Sequence, residues 1–383
     1  MSTAASDRPP NWQFFPLAEG GVLYHRKPFG LQVLNPTACE IWHAAQSGRT
    51  AQQIAEQLCR RFEVDAAAAL QDVQATLQGW QQAPAAAERP DYDPPSPIQA
   101  PLADCTFEQG YRIAGRSFLI GCNSEQLMAG IDALFAHLPA CPPDQANIQL
   151  LAATEPRGYR LQQPGRGEWR YDDLDALVAA VYLRVSELAY RHADCLFALH
   201  AAGVVSPHGA GIILAAASGR GKSTLSACLA RRGFGFMGDD VLAFGHSDMV
   251  TPVPLPITVK SPPAGVLEKD YPQLAQLREY RRYGQRVRYL PPPGNSLVGK
   301  PPAVRHLVFP SYQAGSTARM QAKSALEGLS LLLQSGVFIH RLDKPAAVQS
   351  LIRLLEGISI LTLDYGDIDQ AEKLLRELAP HPV

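Results

Sequence analysis

The sequence predicts a multidomain protein of mixed α/β and α+β class, with a small winged-helix-like module, an α+β lobe and a C-terminal phosphate-binding domain. Three observations support this prediction. The chain has 383 residues, which is too long for one ordinary hydrophobic core. A stretch rich in proline interrupts it after residue 82. An apolar strand, a glycine-rich loop and a helical pattern follow one another from residue 211 to residue 231.

The amino-acid composition and net charge indicate which kinds of binding partner the protein is expected to have. The 46% hydrophobic and 19% charged content is typical of a globular protein. A net charge of −1 gives no general attraction to nucleic acid or to an anionic membrane. No apolar run approaches the roughly 20 residues that span a bilayer, and the first residues lack a signal-peptide pattern. The seven cysteines contain no CxxC pair and are expected to be free thiols in a reducing compartment. We therefore expect a cytoplasmic protein without a nucleic-acid or membrane partner.

The sequence pattern of residues 1–82 predicts the first module, which is small and winged-helix-like. Short apolar runs at 12–15, 21–25 and 31–34 are separated by glycine and proline, which indicates three strands. The pattern then changes to helical periodicity. One helix starts at Pro36, and Thr50 and Asp65 are expected to cap two more.

The stretch from Gly20 to Trp80 resembles the PqqD family, the leader-peptide recognition elements of peptide-modifying pathways. Its most specific part is LNPTACEIW followed by SGRTAQQIAEQL. The resemblance implies that a precursor's leader adds as an extra strand beside the third strand and rests against the last helix. This places four residues at the leader: Leu31, Val33, Val73 and Leu77. The alternative, that these apolar side chains belong to the core, stays equally open.

Residues 83–104 are expected to form a linker, because the stretch from 83 to 97 contains five prolines and little that could pack. Residues 105–195 show strand patterns and two helical patterns, and predict an α+β lobe. No nucleophile, metal or acid–base cluster is apparent in this lobe.

The segment SGRGKST predicts a phosphate-binding loop at the start of the domain that spans residues 196–383. Glycines let several N–H groups converge on an anion, and the following helix adds its positive N-terminal end. Lys222 is expected to reach the terminal phosphates, and Ser223 to ligate Mg²⁺. The residues expected to bind ATP are Ser218, Gly219, Arg220, Gly221, Lys222, Ser223 and Thr224. One departure from GxxxxGK[ST] is Ala216, which replaces the first glycine.

A second strand-like run ends in Asp239 and Asp240. Two carboxylates at a strand end beside a phosphate loop suit the binding of Mg²⁺ and the removal of a proton from an acceptor hydroxyl.

Three segments in this order and spacing, LHAAGVV, SGRGKST and LARRGFGFMGDDV, resemble the HPr kinase/phosphorylase superfamily. The resemblance implies one active site with His200 near the acidic pair. It also implies Asp239 as general base and Asp240 as a Mg²⁺ ligand together with Ser223, although the division of roles between the two aspartates stays open. Thr224 stands where the bifunctional enzymes carry glutamate, and their glycine-rich basic signature after the acidic pair is missing. The kinase activity is therefore expected, whereas phosphorolysis and HPr as substrate are not.

Basic residues after the acidic pair supply further candidates. Lys260 closes a strand-like run and is expected either to contact a phosphate or to protect a sheet edge, two interpretations that we hold equal. Arg286 and Arg288 are expected to contact anions from a lid over the cleft. The three preceding arginines, Arg278, Arg281 and Arg282, are expected on a solvated helix face.

These observations together predict an ATP- and Mg²⁺-dependent serine kinase that phosphorylates a Ser or Thr hydroxyl of a ribosomally made peptide, recruited by its leader through the first module. Two alternatives stay open. The acceptor could be a small hydroxylated metabolite, or the chain could be a non-catalytic, nucleotide-responsive peptide chaperone in which Ala216 marks a weakened site. Related kinases form hexamers, so a homo-oligomer is compatible with the resemblance.

Overall fold

The computed structural model describes residues 12–82, 95–191, 195–217, 219–245, 249–261, 265–282, 284–294, 296–297, 303–339 and 344–378. These residues fall into two compact units. The first unit comprises the described residues within Met1–Pro90, Lys323–Ser330 and Leu342–Glu356, and the second those within Asp91–Ala322, Leu331–Arg341 and Gly357–Val383. Within the described ranges, no helix combines the length and apolar character of a membrane span.

Helices and strands are numbered in chain order. The helices are α1 (Pro36–Gln46), α2 (Ala51–Phe62), α3 (Ala66–Gln81), α4 (Glu125–Phe135), α5 (Leu174–Tyr190), α6 (Lys222–Arg231), α7 (Gly265–Asp270), α8 (Ala325–Ser335), α9 (Lys344–Glu356) and α10 (Ile368–Arg376). The strands are β1 (Trp12–Leu17), β2 (Gly20–His25), β3 (Gly30–Leu34), β4 (Phe107–Ile113), β5 (Arg116–Cys122), β6 (Ile148–Glu155), β7 (Gly158–Gln163), β8 (Gly167–Tyr171), β9 (Cys195–Leu199), β10 (Ala201–Val205), β11 (Gly211–Ala215), β12 (Gly235–Gly238), β13 (Leu242–Gly245), β14 (Val250–Thr251), β15 (Ile257–Lys260), β16 (Glu279–Arg282), β17 (Gln285–Leu290), β18 (Val304–Tyr312), β19 (Arg319–Lys323), β20 (Val337–Phe338) and β21 (Ser359–Tyr365).

The first unit contains the three-stranded sheet that the sequence predicts, in the order β1-β2-β3, together with α1, α2 and α3. The side chain of Asn35 accepts a hydrogen bond from the Ala38 N–H at 2.8 Å and caps α1. Thr50 and Gln53 form a capping box at the start of α2, and Asp65 caps α3. These caps fix the helix boundaries, so the predicted helix starts are confirmed.

Helix α9 and the first residues of α8 also belong to the first unit. The Ala18 N–H donates to the Glu356 carboxylate at 3.1 Å, and the Lys344 ammonium lies 4.7 Å from the centre of the Phe29 ring. Both segments are far from residues 12–82 in the chain, and their position in the sequence predicts that they belong to the 196–383 domain.

The α+β lobe of the second unit is built on a five-stranded sheet in the order β4-β5-β6-β7-β8. Strands β5 and β6 are parallel and the other neighbours are antiparallel. Helices α4 and α5 contact this sheet and bury residues such as Ile131, Phe135 and Tyr182. The sequence did not predict β8, because its five residues, GEWRY, carry no clear alternation.

A six-stranded sheet in the order β12-β10-β11-β18-β21-β19 positions the predicted phosphate loop. Strand β10 is antiparallel to both β11 and β12, so these two strands run in the same direction. Their carboxyl ends therefore lie at the same edge of the sheet. Strand β18 is parallel to β11 and to β21. The loop follows β11 and the acidic pair follows β12, and this topology brings the two together.

Two smaller sheets have the orders β14-β13-β9-β20 and β15-β17-β16. The second corrects one prediction. The arginines at 278, 281 and 282 do not form a helix face, because Glu279–Arg282 is a strand paired with β17 in a hairpin, in which Arg281 faces Arg286 across the ladder. Tyr280 is buried and Arg281 is exposed, an alternation with the period of a strand.

Candidate active site

The predicted phosphate loop joins β11 to α6. Gly219 and Gly221 have φ values of 85° and 87°, which favour glycine. A Cβ atom on Gly221 would lie 2.9 Å from the hydroxyl of Tyr365, so the close approach requires glycine as well. Of the loop residues predicted to bind ATP, Ser218 lies outside the described residues.

Ala216 occupies the position of the first glycine in the phosphate-loop pattern. The non-glycine residues with positive φ in the described chain are Glu19, Glu63 and Ala114. Ala216 therefore has a backbone conformation that any residue can adopt. The departure from the pattern does not strain the loop at this position.

Lys222, the first residue of α6, is buried, with 7% of its surface exposed. Its ammonium lies 3.1 Å from Nε2 of His200 and 3.5 Å from the backbone oxygen of the same residue. Burial lowers the pKa of Lys222, and the nearby Asp239 and Asp240 carboxylates oppose that effect. Lys222, which is expected to bind a terminal phosphate, therefore contacts His200 in this structure.

His200 lies between β9 and β10, and its Nδ1 is 2.9 Å from the backbone oxygen of Asp240. Because the Lys222 ammonium can only donate, Nε2 of His200 accepts, and we assign the ring proton to Nδ1, which donates to Asp240. Burial and then the charge of Lys222 lower the pKa of His200, which keeps the ring neutral. The backbone N–H of His200 donates to the oxygen of Gly336 at 2.9 Å.

The two aspartates have opposite environments. Asp239 is 3% exposed, and its carboxylate accepts hydrogen bonds from Ser223 and, at 3.3 Å, from Ser226. Its Oδ2 atom is buried and has no hydrogen-bond partner among the described residues. Burial, followed by the charge of Asp240, raises the pKa of Asp239. Burial alone would also raise the pKa of Asp240, but the charges of Arg282 and Lys222 hold it below its ordinary value.

Arg282 is a site residue that the sequence analysis missed. One of its N–H groups lies 3.1 Å from Oδ2 of Asp240 and 3.0 Å from the hydroxyl of Thr258. The Thr258 hydroxyl is itself 3.3 Å from the same carboxylate. The guanidinium also lies 5.7 Å from the centre of the Tyr182 ring. Recognising the alternation from Glu279 to Arg282 as a strand would have separated Arg282 from Arg281.

The other predicted anion contacts lie on β15 and β17. Lys260 is the exposed last residue of β15. The guanidinium groups of Arg286 and Arg288 lie 3.4 and 3.5 Å from the Glu279 carboxylate, so these ion pairs are made with Glu279 and not with the acidic pair. Contact of any of the three with substrate phosphate stays a prediction.

The site residues fit a magnesium ion held jointly by protein and phosphate. In the part of the chain that the structure describes, no group of three or more His, Cys, Asp or Glu residues could hold a metal by itself. Mg²⁺ usually takes one or two carboxylates together with waters and phosphate oxygens. The two aspartates and the Ser223 hydroxyl match that set, and the unpartnered Oδ2 of Asp239 leaves one oxygen available.

The four residues predicted to contact a leader peptide differ in how deeply their side chains are buried. Leu31 and Val33 are half-buried on β3, whereas Val73 and Leu77 on α3 are 0% and 4% exposed and belong to the core of the first unit. Which of these side chains contacts a peptide stays a prediction.

The sequence profile of the family described as Coenzyme PQQ synthesis protein D (PqqD) matches residues 20–83. Residues 20–83 form a PqqD domain. The expected family of the first module is thereby confirmed. Among curated proteins, none matches this chain at a significant level.

One solved structure similar to this chain is the HPr(Ser) kinase/phosphatase from Coxiella burnetii. It is 12% identical, and the aligned part covers 47% of this chain and 93% of that one, with a TM-score of 0.22. A likeness this weak carries no argument about fold or activity.

The PqqD domain borders a cavity of about 370 Å³ at the end of β3. The strand contributes Gln32, Val33 and Leu34, and helix α3 contributes Thr76 and Trp80. The remaining lining residues are Asn35, Ala38, Leu326, Glu327 and Ser330. The cavity therefore lies at the end of a strand and is lined by polar and apolar residues in equal number.

Proposed function

We propose that this protein is an ATP- and Mg²⁺-dependent kinase that phosphorylates a Ser or Thr hydroxyl of a ribosomally made peptide, recruited through the PqqD domain. The observation that supports this most is the hydrogen-bonded group of Lys222, His200 and the acidic pair beside the phosphate loop. Such a group has the parts that phosphoryl transfer needs: anion binding, charge stabilisation and a proton acceptor.

The chain's own residues would act in the following way. The loop N–H groups and Lys222 bind the phosphates, and to do so Lys222 leaves its contact with His200. Arg282 keeps Asp240 ionised. Mg²⁺, when bound, neutralises charge on the transferred phosphoryl group. As the hydroxyl oxygen bonds to the γ-phosphorus and the bond to the leaving ADP oxygen breaks, the hydroxyl proton passes to Asp239.

Asp239 is our choice for the proton acceptor because the environments of the two carboxyl groups push their pKa values apart. The group with the raised pKa suits proton transfer, and the group with the lowered pKa suits a fixed negative charge. One contact favours the opposite assignment, since Ser223 bonds to Asp239. A cation held by the Ser223 hydroxyl would then lie closer to Asp239 than to Asp240. Titration with Mg²⁺ separates the two assignments. Under ours, Asp240→Asn raises the Mg²⁺ concentration for half-maximal nucleotide binding more than Asp239→Asn does.

The PqqD domain supports a peptide as the acceptor. An extended peptide that adds to an exposed strand gains backbone hydrogen bonds, and side-chain pockets select its sequence. Tethering this module to a kinase raises the local concentration of the acceptor segment, so the catalytic site needs little affinity of its own.

The test uses short peptides encoded beside the gene. The full chain is incubated with Mg²⁺, ATP and each peptide, and mass spectrometry locates any added phosphate. We expect phosphate on one Ser or Thr of a peptide that carries a leader, and none when that residue is replaced by Ala. Removal of the leader should lower kcat/KM. Equal kcat/KM with and without the leader, or phosphate on small hydroxylated metabolites alone, would contradict the proposal.

A further inference from the structure

We infer that Tyr312 stacks on the base of the nucleotide whose phosphates the loop binds, and so forms a base subsite beside the predicted phosphate loop. This inference rests on the proposed function, because it assumes a nucleoside triphosphate in the loop. Tyr312 is the last residue of β18, and it lies with the loop in the second compact unit. None of the residues expected to bind ATP was expected to contact the base.

Tyr312 is an exposed aromatic residue, with 50% of its surface accessible. The other exposed large apolar side chains in the described chain are Phe62, Val64 and Phe107. Such residues need no explanation when they are scattered singly, but Tyr312 lies directly beside the loop. A Cβ atom on Gly221 would lie 3.4 Å from Cβ of Tyr312. An exposed ring therefore stands next to the site that is expected to bind phosphate.

The order of the strands places Tyr312 on the side of the loop away from the acidic pair. In the order β12-β10-β11-β18-β21, the loop follows β11, the two aspartates follow β12, and His200 precedes β10. Strand β18 lies on the other side of β11 and is parallel to it, so Tyr312 is at the same edge of the sheet as the loop. A nucleoside triphosphate carries its γ-phosphate and its base at opposite ends. Because the proposed transfer places the γ-phosphate beside the aspartates, the base extends toward β18.

The neighbouring strand β21 holds Tyr312 in place. Tyr312 is paired with Tyr365 in the parallel ladder, and the two ring centres are 5.5 Å apart in an edge-to-face contact. The N–H of Gln313 donates to the oxygen of Tyr365 at 2.8 Å. A Cβ atom on Gly366 would lie 2.5 Å from both the Gln313 oxygen and the Ser316 nitrogen, so the turn after Tyr312 packs closely on Gly366. Because Tyr312 is already held by these contacts, a ligand that stacks on it loses little affinity to the ordering of the site.

The two paired tyrosines have different surroundings. Tyr365 is buried, and its hydroxyl lies 2.9 Å from the position that a Cβ atom on Gly221 would occupy, so it supports the loop from below. Tyr312 is the one of the two that a ligand can reach. Every nucleobase has a π-face that packs on an aromatic side chain, whereas an inorganic polyphosphate has none. Tyr312 therefore favours nucleoside phosphates over inorganic polyphosphates in the same loop.

Calorimetry of the full chain with Mg²⁺ tests the inference, with the non-hydrolysable nucleotide AMP-PNP and inorganic tripolyphosphate as the two probes. Both probes carry linked phosphoryl groups, and only AMP-PNP carries a base. Tyr312→Ala should weaken the binding of AMP-PNP by about fivefold or more and leave that of tripolyphosphate unchanged. Tyr312→Phe keeps the ring and should bind both probes as the wild type does. Phe107→Ala, which removes an exposed ring from β4 in another sheet, should also bind both normally.

Equal affinity of Tyr312→Ala and the wild type for AMP-PNP would overturn the base subsite and leave the phosphate loop intact. A similar loss of affinity for both probes in Tyr312→Ala would also overturn it, because Tyr312 would then support the loop and not the base. The same holds if Tyr312→Phe loses as much affinity for AMP-PNP as Tyr312→Ala does. Binding of neither probe by the wild type would overturn the proposed function itself, and the base subsite with it.

Discussion

At the scale of single residues, the site depends on two adjacent aspartates that the fold treats differently. Asp240 contacts Arg282, whereas one oxygen of Asp239 is buried without a partner in the described chain. A buried carboxylate without a full set of partners destabilises the folded state. Functional groups often carry such a cost.

Replacement of Asp239 is therefore expected to stabilise the fold. The folded-state pKa of Asp239 is raised, so proton binding stabilises the protein at low pH, and this stabilisation is lost as the pH rises through the folded-state pKa. Asp239→Asn should raise the free energy of unfolding by about 1 kcal/mol or more at pH 8 and have little effect near pH 4. Denaturant unfolding at both pH values measures this. Asp72→Asn, on the exposed face of α3, is the control, and an equal effect of the two variants would contradict the assignment.

Replacement of Gly221 by alanine is expected to weaken nucleotide binding. Alanine there meets both a left-handed backbone and the Tyr365 hydroxyl at 2.9 Å. Strain of about 1–3 kcal/mol should weaken ATP binding by roughly 5- to 140-fold. The double variant Gly221→Ala/Tyr365→Phe removes the hydroxyl and should recover part of the affinity in calorimetry.

Gly130→Ala is the matched control for that experiment. Gly130 lies within α4, and a Cβ atom there meets nothing within 4 Å. This variant should bind ATP normally and be more stable by about 0.5–1 kcal/mol. Normal ATP affinity of Gly221→Ala would show that the loop does not need its present conformation.

At the scale of elements, the sequence predicted what depends on local signals. The helix starts at Asn35, Thr50 and Asp65 follow from side-chain capping, and the strand–loop–helix at residues 211–231 follows from apolar runs and glycine. The β16–β17 hairpin was missed because the arginines at 278, 281 and 282 are spaced like one face of a helix. The segment instead pairs with β17, and Tyr280 packs against Tyr289 of that strand with 5.4 Å between ring centres, a contact that the arginine spacing does not indicate.

The hairpin gives the element-scale prediction. It presents Arg282 to Asp240 and exposes Arg281, so the two adjacent arginines have different environments. Arg282→Met should destabilise the protein by about 2 kcal/mol or more, because it leaves a largely buried carboxylate without its partner, and should also lower kcat. Arg281→Met should stay within about 0.5 kcal/mol of the wild-type stability. Thermal unfolding and initial rates of both variants check this, and equal behaviour of the two would argue against a role for the hairpin in the site.

At the scale of the whole molecule, chain order and spatial grouping differ. The compact unit that contains the PqqD domain also includes Lys323–Ser330 and Leu342–Glu356. No local pattern reveals such a grouping, because the contacts join residues more than 300 positions apart, such as Ala18 and Glu356. Arg282 illustrates the same limit within the candidate active site, since its partner Asp240 lies 42 positions away.

Deletion of residues 1–82 is therefore expected to damage more than peptide recognition. Helix α9 buries Val348, Leu351 and Leu355, and the deletion removes most of the unit to which it belongs. The truncated chain should unfold at a lower temperature and associate on a sizing column. An unchanged Tm and a single monodisperse species would show that residues 83–383 are self-sufficient.

We propose that Asp239 and the phosphate loop act together in transferring the γ-phosphoryl group of ATP to a peptide hydroxyl. The most direct measurement is the rate at which label passes from γ-labelled ATP to a leader-bearing peptide, for the wild type, Asp239→Asn and the control Asp72→Asn. We expect transfer by the wild type and by Asp72→Asn, and a rate at least about 100-fold lower for Asp239→Asn. Transfer that persists in Asp239→Asn, or its absence with every leader-bearing peptide, would contradict this proposal.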